Sequence, residues 1–223
     1  MSAPADHAGC LAVSERFRGA LCERLADRPG RPIRAGGFIY FQGDDAGSVF
    51  LLRRGLVKTS VHSLDEAEVT LRIHRPNEIF GELCLCAGGR RDQARALESS
   101  EVVEIPLPAL IAQLERDPQA AHDFTRSICE RLGEAYERLR SVSLDPVRAR
   151  LARALLALSA SDDGVIPPAI TQDELARMIG ARREVVSTLL NRLRENGLIR
   201  YTRSGPVRVD RAALSDFLRS VER

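Results

Sequence analysis

Apolar side chains fall four apart at Phe17, Leu21 and Leu25, which predicts a short amphipathic helix over Ser14–Leu25, ended by Pro29, Gly30 and Pro32. From Ile33 to Pro106 the pattern changes. Short β-prone segments such as Val49-Phe-Leu-Leu52 and Val69-Thr-Leu-Arg-Ile73 are cut by Gly36, Gly37, Gly43 and Gly55. That texture predicts an antiparallel roll or barrel, with Glu101–Ile105 as its closing strand. Asp117-Pro118 then starts a long helix, because proline fits a first turn. Along it Phe124, Ile128, Leu132, Ala135, Leu139 and Val142 follow at spacings of 4, 4, 3, 4 and 3. The mean is near the ~3.5-residue period of a coiled-coil seam, so a second copy of the chain is the expected partner. Asp145-Pro146 breaks this helix and marks a boundary, Val147–Leu158 reads as another helix, and Ser159–Pro168 reads as a turn.

The C-terminal third carries a sharper pattern. Thr171 with Glu174 three residues on is a capping box, followed by a buried face of Leu175, Ala176, Met178 and Ile179. Gly180 supplies a tight turn, and Arg182–Asn196 forms a second helix with Val185, Val186, Leu189, Leu190 and Leu193 inward, capped by Gly197. Two short helices at a small-residue turn predict a helix-turn-helix. Leu198–Tyr201 and Val207–Val209, joined through Arg203-Ser-Gly205, predict a wing, and Asp210 caps a last helix over Arg211–Val221.

Composition fits a folded chain: 44% of the 223 residues are apolar and 29% are charged. No run approaches the roughly 18 apolar residues of a membrane span. The segment Met1–Cys10 is polar and lacks a signal-peptide core, which predicts a cytoplasmic protein with no membrane partner. The formal net charge of +2 is a sum of opposites: residues 146–223 carry 14 basic and 9 acidic side chains, and the remainder is net negative. Lys58 is the single lysine; the other 32 basic residues are arginines. No Gly-x-Ser-x-Gly elbow, Walker loop or His-Glu-x-x-His is present, so no catalytic residue and no enzyme is expected.

The outward face at the start of the second helix holds Arg182, Arg183, Glu184, Ser187 and Thr188. A helix-turn-helix inserts that end into the major groove of double-stranded DNA. Arg183 can donate two bonds to guanine, Glu184 can accept from cytosine N4, and Ser187 can adapt to either edge. Thr171, Gln172, Arg182 and Arg203 are the candidate phosphate contacts.

With these motifs the sequence resembles the Crp/Fnr superfamily of bacterial transcription regulators. The resemblance rests on Gly36, Gly43-Asp44, Gly55 and Phe80-Gly81-Glu82-Leu83 in the roll, and on Ile170–Ala176 and Arg183-Glu184-Val-Val-Ser187 in the C-terminal part. It implies an α+β chain: a cyclic-nucleotide-binding-type β-roll sensor over residues 1–116, a dimerisation helix and hinge over 117–145, and a winged helix-turn-helix over 146–223. It also implies a homodimer on a palindromic operator, RNA polymerase as a partner, and an effector that reorients the DNA-binding domains. Arg183 and Glu184 match the family's base-reading pair and Ser187 the serine of the oxygen-sensing branch. Thr188 departs from the pattern, since both main branches usually place a second arginine there. A threonine can contact a thymine methyl or make a single hydrogen bond.

The sensor half departs further. The family's nucleotide cassette has Gly-Glu-Leu and, about ten residues on, Arg-Ser, whose arginine neutralises the cyclic phosphate. Here Gly81-Glu82-Leu83 is followed by Asp92-Gln93, and an aspartate there repels a phosphate, which disfavours cyclic AMP. Gly81, Glu82, Leu83, Cys84, Asp92 and Gln93 remain the candidate effector pocket, its ligand unassigned. Arg90, Arg91 and Arg95 could replace the missing arginine after a register shift. An iron–sulfur cluster or thiol sensing would draw on Cys10, Cys22, Cys84 and Cys86, but a twelve-residue gap and a one-residue gap do not fit thiolate knuckles, so no metal ligand is assigned. Haem would need His62 or His74. Two other readings stay open: a redox- or metal-sensing regulator, and a sensor whose winged helix contacts protein.

Overall fold

The computed structural model describes residues 28–63, 67–160, 163–201 and 205–221. The helix expected over Ser14–Leu25 lies outside them, as do Cys10, Cys22 and Arg203. The chain divides into two compact units, one built from residues up to Val61 and from Arg72–Glu134, the other from His62–Leu71 and from Ala135 onward.

The roll strands are β1 (Arg31–Ile33), β2 (Phe38–Tyr40), β3 (Ser48–Arg54), β4 (Val57–His62), β5 (Glu68–His74), β6 (Ile79–Phe80), β7 (Gln93–Ala96) and β8 (Ser100–Pro106), with a short helix α1 (Cys84–Ala87) between β6 and β7; all lie in the first unit except His62 and the Glu68–Leu71 part of β5. Two four-stranded sheets result, ordered β1-β8-β3-β6 and β2-β7-β4-β5. Strand β3 runs antiparallel to β8, with Val49 opposite Ile105 and Leu51 opposite Val103.

The unbroken apolar run Val49–Leu52 has a physical cause: both faces of β3 are buried. Val49 and Leu51 turn to a cluster with Val103, Ile105 and Leu110, while Phe50 and Leu52 turn to Tyr40, Val57, Phe80 and Val102. Tyr40, Phe50 and Phe80 stack there, with ring centroids 5.6 Å apart for Tyr40–Phe50 and 5.5 Å for Phe50–Phe80.

Two helices follow, α2 (Leu107–Arg116) and α3 (Pro118–Leu144). The Asp117 carboxylate caps α3, accepting from the Gln119 and Ala120 amides at 3.1 and 3.2 Å. Helix α2 goes beyond the elements expected from the sequence. It forms because Leu110 and Leu114 cover the outer face of β3 and β8. The same cluster takes in Phe124, which corrects its assignment to the seam: that ring packs on the roll. Further along α3, Leu132, Leu139 and Val142 are exposed, together with Tyr136. Ile128 is half-buried and Ala135 is exposed.

The second unit carries α4 (Val147–Leu158), β9 (Val165–Ile166), α5 (Gln172–Ile179), α6 (Arg183–Glu195), β10 (Ile199–Arg200), β11 (Val207–Val209) and α7 (Arg211–Val221). Helix α4 packs on α5 and α7. Leu151, Leu155, Ile166, Leu175, Val186, Leu190, Ile199 and Leu214 are all buried. The stretch expected to be a plain turn contains β9, an edge strand completing a sheet ordered β10-β11-β9. Its partner, Val207-Arg208 of β11, lies far along the chain, and a two-residue strand carries no periodicity of its own.

Gly55 turns the chain between β3 and β4 at φ +95, and an added Cβ would come within 2.7 Å of the Ser100 Cα and closer still to its hydroxyl. Gly55→Ala therefore combines backbone strain with a clash against β8, and is expected to lower stability by roughly 2 kcal/mol or more in urea unfolding.

Candidate functional site

The helix-turn-helix is built from local rules. Thr171 caps α5 from an extended conformation, and its Oγ1 accepts the Glu174 amide at 3.2 Å. Gly180, in the left-handed region at φ +60, ends α5. Ala181 then donates back to the Ala176 carbonyl at 3.0 Å, and Arg182 stands extended as the N-cap of α6.

Helix α6 buries Val186, Leu190 and Leu193 and leaves Leu189 half-buried. Val185 is a correction: it is 41% exposed, because it sits about 100° around the helix from Val186. The opposite face brings together Arg183, Glu184 and Thr188, all exposed, with Ser187 half-buried beside them. The Arg183 Nε lies 3.7 Å from Asp173 Oδ2 on α5, with side chains 63% and 46% exposed. So open a pair contributes at most about 1 kcal/mol, which leaves the guanidinium free to change partners. The Thr188 hydroxyl donates to the Glu184 carbonyl at 2.9 Å. Thr171 and Arg182 are placed at the two helix N-termini, Thr171 exposed, and Gln172 is half-buried. Backbone N–H groups and the helix dipole favour anions at such ends. The base of the wing is tied to α6: Tyr201 donates to Asn191 Oδ1 at 3.1 Å, and the Arg194 guanidinium lies 5.1 Å from the Tyr201 ring centre.

The roll interior is unusually polar. Lys58, Thr59, Ser60, His74, Glu78, Arg90, Asp92 and Gln93 are all buried. Arg90 donates to the Gly81 carbonyl at 3.0 Å and to the Ser48 carbonyl at 2.8 Å, and lies 4.2 Å from the Tyr40 ring centre. Tyr40 donates its phenol proton to Asp92 Oδ1 at 3.1 Å. Glu82 pairs at 2.5 Å with Arg131 of α3, which also donates to the Ile79 carbonyl at 2.6 Å. Gln93 donates to the Ser60 hydroxyl at 3.3 Å. Of the candidate pocket, Gly81, Glu82, Asp92 and Gln93 face this network, Leu83 is exposed, and the Cys84 thiol donates to the Ser48 carbonyl at 3.6 Å.

Electrostatics follow from these contacts. Burial pushes the Asp92 carboxyl up to about 6, although the Tyr40 hydrogen bond and the Arg90 charge oppose it. Burial, then the Asp92 charge, hold the Tyr40 phenol far above its ordinary range. Burial works to raise the Glu82 carboxyl, yet the Arg131 charge and hydrogen bond hold it low. His74, against the Phe80 ring and beside the Thr59 hydroxyl, is lowered by burial. Burial also raises the Cys84 thiol, which disfavours the reactive thiolate. Among the described residues no group of three or more His, Cys, Asp or Glu could hold a metal. Arg91 is exposed, and Arg95 donates to the Gly36 carbonyl at 2.8 Å. Sequence reasoning does not single out Tyr40 or Arg131. Tyr40 lies 52 residues from Asp92, and no spacing rule connects the two.

The fold has counterparts among known proteins. Residues 31–117 match the cyclic nucleotide-binding domain family and residues 149–217 the Crp-like helix-turn-helix domain family. The chain is 35% identical over 177 residues to the cyclic AMP receptor protein of Thermus thermophilus, covering 79% of this chain and 81% of that protein. The chain belongs to the Crp/Fnr family of DNA-binding transcription regulators. A solved CRP/FNR-family transcriptional regulator, also from Thermus thermophilus, superposes with a TM-score of 0.71 at 26% identity, covering 86% of this chain and 100% of that one. FixK2 from Bradyrhizobium japonicum shares the fold at a TM-score of 0.78 and 19% identity, over 84% of this chain and 96% of its own. Among the described residues no helix is long and apolar enough to cross a membrane.

Asp92 yields a pH prediction. Its folded value of about 6 lies above the ordinary ~3.9, so the folded state holds the proton more tightly and stability falls as pH rises through that window. Asp92→Asn keeps an acceptor for Tyr40 and removes the charge. It should be more stable than the parent by about 1–3 kcal/mol at pH 8, with the gap closing below about pH 4, as read by urea unfolding at both pH values.

Proposed function

We propose that Arg183, Glu184, Ser187 and Thr188 read base edges in each half-site of a palindromic operator, and that Thr171, Gln172, Arg182 and Arg203 hold phosphates. The carrying observation is the outward cluster on α6: these polar side chains stand on a helix whose other face is buried. The charge of residues 146–223, with 14 basic against 9 acidic side chains, supports the same reading. Residues 117–145 serve as the dimerisation helix and hinge. Ile128, Leu132, Ala135, Leu139 and Val142 form the seam, and the exposure of Leu132, Leu139 and Val142 supports this use. Residues 1–116 serve as the sensor and 146–223 as the DNA-binding domain. RNA polymerase is the protein partner at the promoter, and the protein acts in the cytoplasm without catalysing a reaction.

The interior of the roll disfavours cyclic AMP as the effector of this chain. A relative's name includes cyclic AMP, but here the interior offers a cyclic phosphate the Asp92 carboxylate. The Nη groups of Arg90 are taken by two backbone carbonyls and Glu82 is taken by Arg131. A buried phosphate facing that carboxylate would be an unpaired like charge, costing several kcal/mol.

Arg183→Ala should lower affinity for the selected operator by about 1–3 kcal/mol and relax specificity at one guanine, measured by competition binding against random DNA. An unchanged ratio of specific to random binding would remove Arg183 from base reading. Wild-type affinity should fall steeply with added salt, as phosphate contacts require; a flat salt titration would favour a protein-contact role for the winged helix. Leu132→Glu with Leu139→Glu should convert the chain from dimer to monomer in sedimentation equilibrium while leaving its thermal unfolding cooperative. A dimer that survives both charges would place the interface elsewhere.

A further inference from the structure

Thr188 stands where the family resemblance expects an arginine, and its chemistry on α6 is constrained. The hydroxyl has one hydrogen, and the Glu184 carbonyl takes it at 2.9 Å. What the side chain has left to offer is a methyl group and oxygen lone pairs. One turn of the same face adds a second apolar group, because Val185, three residues before Thr188, is 41% exposed. An exposed valine next to a back-bonded threonine makes a small apolar step among the charged side chains Arg183 and Glu184. In the major groove the apolar feature that distinguishes bases is the 5-methyl group of thymine.

We propose that Thr188 and Val185 form a methyl-reading patch, so that this protein selects thymine through its 5-methyl group at one base of each half-site. The proposal rests on the base-reading placement of α6 and deepens it. Thr188 thereby acts as a specificity determinant by contact with carbon rather than by hydrogen bonding. Discrimination at that base is weaker than a bidentate arginine would give, and absent against a base that keeps the methyl.

The test uses the full-length protein. Selection from a random duplex pool defines the preferred site, and each thymine in it is then replaced by deoxyuridine, which removes only the methyl. One thymine in each half-site should show a loss of about three- to fivefold on this change, the size expected for one buried methyl. Thr188→Val, which keeps the methyl and deletes the hydroxyl, should retain that penalty. Thr188→Ser, which deletes the methyl, should reduce it toward none, and Val185→Ser should diminish it. Indifference of the wild type to every uracil substitution overturns the proposal, as does a Thr188→Val variant that loses the base preference while Thr188→Ser keeps it. Failure of selection to enrich any sequence overturns the base-reading placement itself, an outcome separate from the first two.

Discussion

A guanidinium carried into the interior of the roll must find acceptors there, and the way Arg90 does so organises the rest of the unit. Its Nη donors reach the Ser48 carbonyl on β3 and the Gly81 carbonyl just after β6, its plane lies near the Tyr40 and Phe50 rings, and its Nε is left without a hydrogen-bond partner. A buried charge left without partners would cost several kcal/mol. The Gly81 backbone is held for the same reason: a Cβ at that position would meet Arg90 Nη1 at 2.8 Å, and its φ of +81 already favours glycine. Gly81 is therefore held by an internal cation and a tight backbone.

That internal cation changes what the sensor can recognise. The interior has Lys58, Arg90 and Arg131 as positive groups; Arg131 is paired with Glu82, and Arg90 donates to two backbone carbonyls while its Nε stays without a hydrogen-bond partner. It also has an aspartate whose charge is disfavoured by burial and which leans on a tyrosine hydroxyl. The helix that supplies Arg131 is also the helix that bears the exposed apolar stripe, so one element joins the interior of the roll to the surface proposed for dimerisation.

How much of this can be read from residue order differs between the two units. The helix-turn-helix is legible because its determinants are local: Thr171 capping Glu174, Gly180 in a left-handed turn, and apolar positions at helical period. The start of α3 at Asp117-Pro118 is legible for the same reason. The interior of the roll is not, because Tyr40 meets Asp92 and Glu82 meets Arg131 only once distant strands and a helix come together. Phe124 and Val185 show the limit of periodicity. Each fits an apolar stripe, yet one ring is drawn onto the roll and the other side chain rotates out to solvent. Strand β9 is created by its pairing with β11, a tertiary contact that its own two residues do not announce.

The position of Lys58 has a consequence for the surface of the molecule. It is the only lysine of the 223 residues, and it is fully buried on β4. Every lysine- or arginine-type cation on the outside is thus an arginine, with a planar guanidinium. No lysine ε-amine is offered to solvent, so acylating enzymes and amine-directed cross-linkers find no side-chain target on the folded chain. Whatever adjusts the charge of the DNA-facing surface must act on guanidinium groups or on the ions around them, since acetylation of lysine has nothing there to neutralise.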